Sequence, residues 1–188
     1  AAISGFIVDP DRKKMSKSKG NVVTPADILD KHGSDAVRYW SASSRLGMDA
    51  AFDPQNPTQV KIGRRLAIKI LNAAKFVLSF PVPEGAQVTH ALDASMLAAL
   101  DTVVRDATKA YENYDQARAL EVTEAFFWTF CDDYLELVKE RAYNQADVGQ
   151  ASAALALRLA LSTLLRLLAP IVSFATEEAW SWFEDGSV

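Results

Sequence analysis

Apolar residues recur at spacings of three and four along most of the chain. Leu66, Ile70, Ala73, Val77 and Phe80 form one row, Leu97, Leu100 and Val104 a second, and Leu120, Phe127, Tyr134 and Val138 a third. This spacing puts each row on one face of an α-helix, as a stripe that must turn inward. It predicts a long helix between Asp53-Pro54 and Phe80, then helices over about Leu92–Tyr111 and Gln116–Tyr143. Ala151–Leu168 is apolar nearly all round, the pattern of a helix sheltered on every side. Breaks fall at Pro81-Val82-Pro83-Glu84-Gly85, at Asn113–Asp115 and at Gly149. Four long helices so separated predict an up-and-down bundle. Pro170 ends the last of them, Val172–Phe183 starts a shorter helix, and Trp180 and Trp182 are expected to close the end of the bundle. Phe126, Phe127, Trp128, Phe130 and Tyr134 are assigned mostly to the core.

The first fifty or so residues follow a different pattern. Gly5-Phe6-Ile7-Val8 reads as a short strand and Asp9-Pro10-Asp11 as a turn. Arg12–Asn21 is too rich in Lys, Ser and Gly to pack and is expected to be an exposed, mobile loop. Thr24 as cap, Pro25 at the first position and Asp27 in the first turn then predict a helix to His32, stopped at Gly33. A second helix is expected from Ser34, its cap, to Arg45, with Gly47 as stop. The fold class expected is therefore mainly α: an exposed loop with short connecting helices over 1–51, and an up-and-down helical bundle over 52–188.

Composition narrows the possibilities. With 188 residues, 49% of them hydrophobic, the chain can bury a sizeable core. Its net charge of −4 argues against a generally basic nucleic-acid binder and leaves local patches. One patch is Arg12, Lys13, Lys14, Lys17 and Lys19; the other is Lys61, Arg64, Arg65, Lys69 and Lys75 on the first long helix. The single cysteine, Cys131, can form neither an internal disulfide nor a zinc site, which fits a reducing, cytoplasmic setting. No metal site is expected. The apolar run Ile3–Val8 is too brief for a leader or anchor, and no run is expected to reach the roughly 20 residues of a membrane span. An opening directly on a strand-like segment suggests a piece of a longer protein. His32 and His90, near helix ends, are read as capping or solvent residues. Asp132, Asp133 and Glu136, beside Lys139 and Arg141, are read as a solvated ion-pair face.

One short segment carries chemistry. Lys14-Met15-Ser16-Lys17-Ser18, continued by Lys19-Gly20-Asn21, lies between the strand and the first capped helix. These five residues match the KMSKS signature, and the chain thereby resembles the class I aminoacyl-tRNA synthetases; chance supplies such a match in roughly one chain of this size in ten thousand. In that family a carboxylate attacks the α-phosphate of ATP and expels pyrophosphate, so negative charge gathers on the β and γ groups. Mobile ammonium groups can meet that charge as it develops. The resemblance implies ATP contacts from Lys14, Met15, Ser16, Lys17 and Ser18, with Lys17 stabilising the transition state and Lys14 assisting. It also implies Mg²⁺ carried on the nucleotide. No HIGH-type motif or Rossmann pattern is present, so the adenine site and amino-acid pocket are expected N-terminal to Ala1, and this chain alone is not expected to aminoacylate anything.

Further stretches resemble the valyl branch: Asp35-Ala36-Val37-Arg38-Tyr39-Trp40, Ile62-Gly63-Arg64-Arg65-Leu66, Leu71–Leu78, and Phe127-Trp128 with Cys131–Lys139. The resemblance implies valine and tRNA(Val) as partners, no membrane, and a bundle that binds the anticodon. A row on the first long helix gives an independent hint. Arg65, Lys69, Asn72 and Phe76 share one face, offset from the core stripe, and such a row can stack on unpaired bases and hold their phosphates. Phe76 has the alternative of packing under the next helix. Isoleucyl, leucyl and methionyl relatives share the loop and bundle, so those branches stay open, as does a non-catalytic helical interaction module.

Overall fold

The structure is a computed structural model that describes residues 5–188; Ile3, where the first apolar run begins, lies outside them. The chain is mainly helical. Strand β1 (Ile7–Val8) pairs in parallel with β2 (Ala50–Ala51), and between them lie α1 (Ala26–His32) and α2 (Ser34–Ala42). The bundle is α3 (Thr58–Leu78), α4 (Ala91–Glu112), α5 (Gln116–Thr129), α6 (Leu135–Tyr143) and α7 (Gln150–Leu168), followed by α8 (Ser173–Trp180).

The predicted stripe of α3 is buried throughout: Leu66, Ile70, Ala73, Val77 and Phe80 all face the core. Helix α7 lies at the centre, against α3, α4, α5, α6 and α8. It corrects the expectation that no run approaches a membrane span, since by length and apolar composition alone it is adequate for one. Here that surface is spent inside the protein, where Ala153, Leu157, Ala160, Leu161, Leu164 and Leu168 are shut off from water. Truncating one such leucine to alanine typically costs about 2–5 kcal/mol.

The short N-terminal helices begin and end differently from expectation. Pro25 rather than Thr24 precedes α1, and no side chain caps it. Ser34 is the first residue of α2 rather than its cap, because Gly33 turns the chain between α1 and α2 in one step at φ 82°. Helix α2 stops at Ala42, short of Arg45; the Ser43 hydroxyl donates to the Trp40 carbonyl at 2.8 Å, competing for the helix ladder. At the other end of the chain Trp180 is buried, whereas Trp182 stays 36% exposed beneath the Lys75 ammonium.

The helix expected over Gln116–Tyr143 is continuous but not regular, since Phe130–Tyr134 forms a π-turn between α5 and α6. Asp115 caps its start by accepting from the Arg118 N–H at 3.0 Å, and His90 caps α4 by accepting from the Leu92 N–H. Beyond the π-turn, Arg141 corrects its assignment to the outer ion-pair face. Its guanidinium points inward and donates to both oxygens of Asp93, at 2.6 and 2.8 Å. Asp93 is fully buried and also accepts from Tyr134 at 2.8 Å and Ser152 at 2.6 Å, so one carboxylate ties α4 to α6 and α7. Burial pushes its pKa up, but the hydrogen bonds from Arg141, Ser152 and Tyr134 outweigh this and hold it below the ordinary carboxylate value.

Helix α2 joins the N-terminal residues to the bundle. Gly63 lets α3 approach Tyr39 so closely that a Cβ there would lie 2.5 Å from the Tyr39 Cβ. Asp35 accepts from the Phe174 and Ala175 N–H groups at the start of α8, and Arg38 donates to the carbonyls of Pro170 and Ile171. A smaller apolar cluster of Ile28, Ala36, Phe52 and Val60 lies under the loop that follows β1.

Candidate nucleotide loop and nucleic-acid interface

The lysine-rich loop is exposed at its tip and tied at its base. After Val8 the chain turns through Arg12, in left-handed conformation at φ 60°, and Lys14 bridges back to Val8. Asn21 closes the far side. Its side-chain amide donates to Asp9 at 2.9 Å, and its oxygen accepts from the Ser16 N–H at 2.8 Å. Asn21 and the Lys13 N–H hold the Asp9 carboxyl below its ordinary pKa.

Met15 turns its side chain down onto the Ile28–Phe52 cluster, beside an apolar hollow of about 140 Å³. That hollow has too little polar lining for phosphate, so charged ligands must be met by the outer side of the loop. There Lys17–Lys19 forms a single 3₁₀ turn closed at Gly20, and the Ser16 and Ser18 hydroxyls lie 3.0 Å apart. Lys14, Lys17, Ser18 and Lys19 are all exposed. Among the described residues neither Lys14 nor Lys17 makes an ion pair, and Lys14 only lies over the Phe6 ring, 5.8 Å from its centroid. Lys19 likewise makes no ion pair among the described residues, so the loop presents three unneutralised ammonium groups from a tied base.

The second region forms where α3 runs beside α5 and α6. Arg65, Lys69, Asn72 and Phe76 do share a face of α3, and a matching row from the neighbouring helix meets it. The Arg65 guanidinium and the Lys69 ammonium both lie over Trp128, 5.3 and 5.6 Å from its ring centroid. Lys69 also donates to Asp132 at 2.9 Å, and that hydrogen bond leads the causes that raise its pKa. Phe76 is only partly covered. It packs edge-on to Phe80 and Tyr143 while staying half-exposed, with the Lys139 ammonium 5.7 Å from its centroid. Lys139 pairs with Glu136, Tyr143 is 58% exposed, and Asn72 is open to solvent.

Trp128 and Tyr143 are the members of this surface that sequence reasoning missed, while Asp132 is the exposed ion-pairing residue expected, with Lys69 as its partner. Trp128 was grouped with the core, but it is half-buried and held by its indole N–H donating to Glu124 at 3.2 Å. The same carboxylate accepts from Tyr39 of α2 at 2.7 Å. The signal available was the spacing Trp128, Asp132, Glu136, Lys139 and Tyr143, a helical stripe beside the buried one. Exposed aromatic faces bordered by cations suit stacking of unpaired bases.

Residues 93–188 match the family model "Anticodon-binding domain of tRNA ligase", and residues 1–53 match "tRNA synthetases class I (I, L, M and V)". The whole chain is 73% identical to a valine–tRNA ligase of Leifsonia xyli subsp. xyli and 64% identical to one of Thermobifida fusca, covering 22% of each. The chain thus spans about a fifth of the length of the curated relatives it matches. Among solved structures, the LeuRS of Agrobacterium radiobacter K84, in a ternary complex with tRNA and LeuAMS, superposes with a TM-score of 0.70 over 98% of this chain and 23% of that one. At 20% identity that likeness shows the fold alone.

Proposed function

This chain belongs to the family of tRNA-ligase anticodon-binding domains, and we propose that it is the part of a valine–tRNA ligase that carries the ATP-site loop and the anticodon-binding bundle. The observation that carries the reading is the match of this whole chain to part of valine–tRNA ligases, at 73% identity to that of Leifsonia xyli subsp. xyli. In the proposed reaction the valine carboxylate attacks the α-phosphate of ATP, forming valyl-adenylate and releasing pyrophosphate; the valyl group then passes to tRNA(Val). Magnesium enters as the ion bound to the ATP phosphates and helps neutralise them.

Lys17, at the exposed tip of the tied loop, is assigned to the charge that develops on the leaving pyrophosphate, with Lys14 beside it. Met15 anchors the loop, and Ser16 and Ser18 supply hydroxyl and backbone donors to the nucleotide. Arg65, Lys69, Asn72 and Phe76 are assigned to the anticodon. We divide the chain at 51/52 into the end of the catalytic core with its connecting helices and the anticodon-binding bundle. The reaction belongs to the longer ligase, in the cytoplasm; this chain by itself is expected to be inactive.

Lys17→Ala in the intact ligase tests the assignment. Valine-dependent exchange of pyrophosphate into ATP should fall about 100-fold or more, as when one preorganised donor to a transition state is removed, while tRNA affinity stays unchanged. Undiminished exchange would remove Lys17 from the mechanism.

A further inference from the structure

The helix facing Lys69 departs from regular hydrogen bonding where it meets that side chain. Single π-turns inside α-helices concentrate at functional sites. Here the turn keeps Phe130, Cys131 and Tyr134 inward and leaves Asp132 and Asp133 in solvent. The Lys69 and Asp132 side chains remain 35% and 58% exposed although they touch at 2.9 Å. Such a site is poorly built to anchor phosphate, which calls for uncompensated cations. Lys69 is matched by Asp132 and Lys139 by Glu136, so the one cation of this row left without an ion pair among the described residues is Arg65, over Trp128 rather than at the Lys69–Asp132 pair. The pair has instead the form of a base-edge reader, one donor beside one acceptor at the rim of an aromatic platform.

We propose that Asp132 is a specificity-determining residue: together with Lys69 it reads the Watson–Crick edge of an unpaired base and separates amino-bearing bases, adenine and cytosine, from keto-bearing ones, guanine and uracil. The inference rests on reading this face as the anticodon interface. Adenine and cytosine present an amino donor next to a ring-nitrogen acceptor; guanine and uracil present a carbonyl next to a ring N–H. A carboxylate only accepts and an ammonium only donates. A base held in one orientation by stacking therefore either matches both groups or sets acceptor against acceptor and donor against donor. Asparagine, whose amide offers both functions, matches either class by rotating.

The test measures binding of the intact ligase to tRNA transcripts that differ by one anticodon base, across a series of salt concentrations. Asp132→Asn should lower the preference between amino and keto bases at one anticodon position about tenfold, the scale of a base-edge contact, with the salt slope unchanged. Asp132→Ala should lower it similarly. Asp132 is exposed, so neither change threatens the fold. Tighter binding of every transcript with a steeper salt slope would make Lys69 a phosphate anchor masked by Asp132 and overturn the proposal, as would an unaltered preference. Lys69→Ala and Phe76→Ala separate the two levels. If they abolish anticodon preference and Asp132→Asn does not, only the role of Asp132 fails; if they too leave it intact, the interface reading fails with it.

Discussion

Arg141→Met isolates the value of the buried ion pair while keeping most of the side-chain volume. It leaves Asp93, fully buried, with its hydrogen bonds from Tyr134 and Ser152 but without a counter-charge. Removing one partner of a buried pair costs about 3–5 kcal/mol. The Arg141 side chain is 13% exposed and two donors remain to Asp93, so the lower end, ~3 kcal/mol, is expected. Unfolding entropy of roughly 2.1 cal/mol/K per residue comes to about 0.4 kcal/mol/K for a chain of 188 residues. The midpoint of thermal unfolding, followed by circular dichroism at pH 7, should therefore drop by about 8 °C. The deficit must also depend on pH. The Asp93 pKa is lowered in the folded protein from an ordinary 3.8, so its contribution is complete above that value and is lost as pH falls through the lowered one. Without the arginine, burial is opposed only by the hydrogen bonds from Tyr134 and Ser152, so the balance moves toward the protonated acid. The gap between the two proteins should thus be widest near neutrality and close on acidification below about pH 4. A shift under 2 °C, or a gap that does not change with pH, would refute the account of this network as one charge held by another.

Two further outcomes follow from close packing. Gly63→Ala gains about 1 kcal/mol of helix propensity but forces a Cβ to within 2.5 Å of the Tyr39 side chain; overpacking of this kind typically costs about 1–3 kcal/mol, so urea titration should show a net loss. An equally or more stable variant would mean that α2 and α3 can separate freely. Burial pushes the Cys131 thiol up to about 12, so at pH 8 a disulfide reagent should label it only as fast as the protein opens, with the rate rising steeply in denaturant. Rapid labelling of the native protein would contradict the packing around the π-turn.

The parts of the molecule legible in the sequence are those specified by local pattern. The α3 stripe, the all-round apolarity of α7 and the Lys14–Ser18 segment each lie within a few turns of chain, where helical spacing or an unbroken motif suffices. What escaped depends on partners far away in sequence. Nothing around Asp93 announces Arg141, 48 residues on, and Arg141 sits among Lys139, Glu136 and Asp133, which do face water. The π-turn escaped because its apolar residues satisfy ordinary helical spacing. Trp128 was misplaced because an aromatic inside a run of aromatics gives no sign of which one is left at the surface. The candidate surface was half legible: the α3 row was visible, but the row opposite it became apparent only once two helices lay side by side.

The grip of α2 on α8 sets an order in which this part of the molecule can assemble. Asp35 caps α8 across 139 and 140 residues, and Arg38 holds the turn before it across 132 and 133. At synthesis rates of about 5–20 residues per second, those partners leave the ribosome roughly 7–28 s after α2 does. During that interval the nascent chain can rest α2 on α3, but the carboxylate of Asp35 and the guanidinium of Arg38 must wait in water. The contacts that tie α2 to α8 are thus deferred until α8 has been made, whereas the apolar cluster beneath the lysine loop, which draws nothing from α8, can assemble earlier.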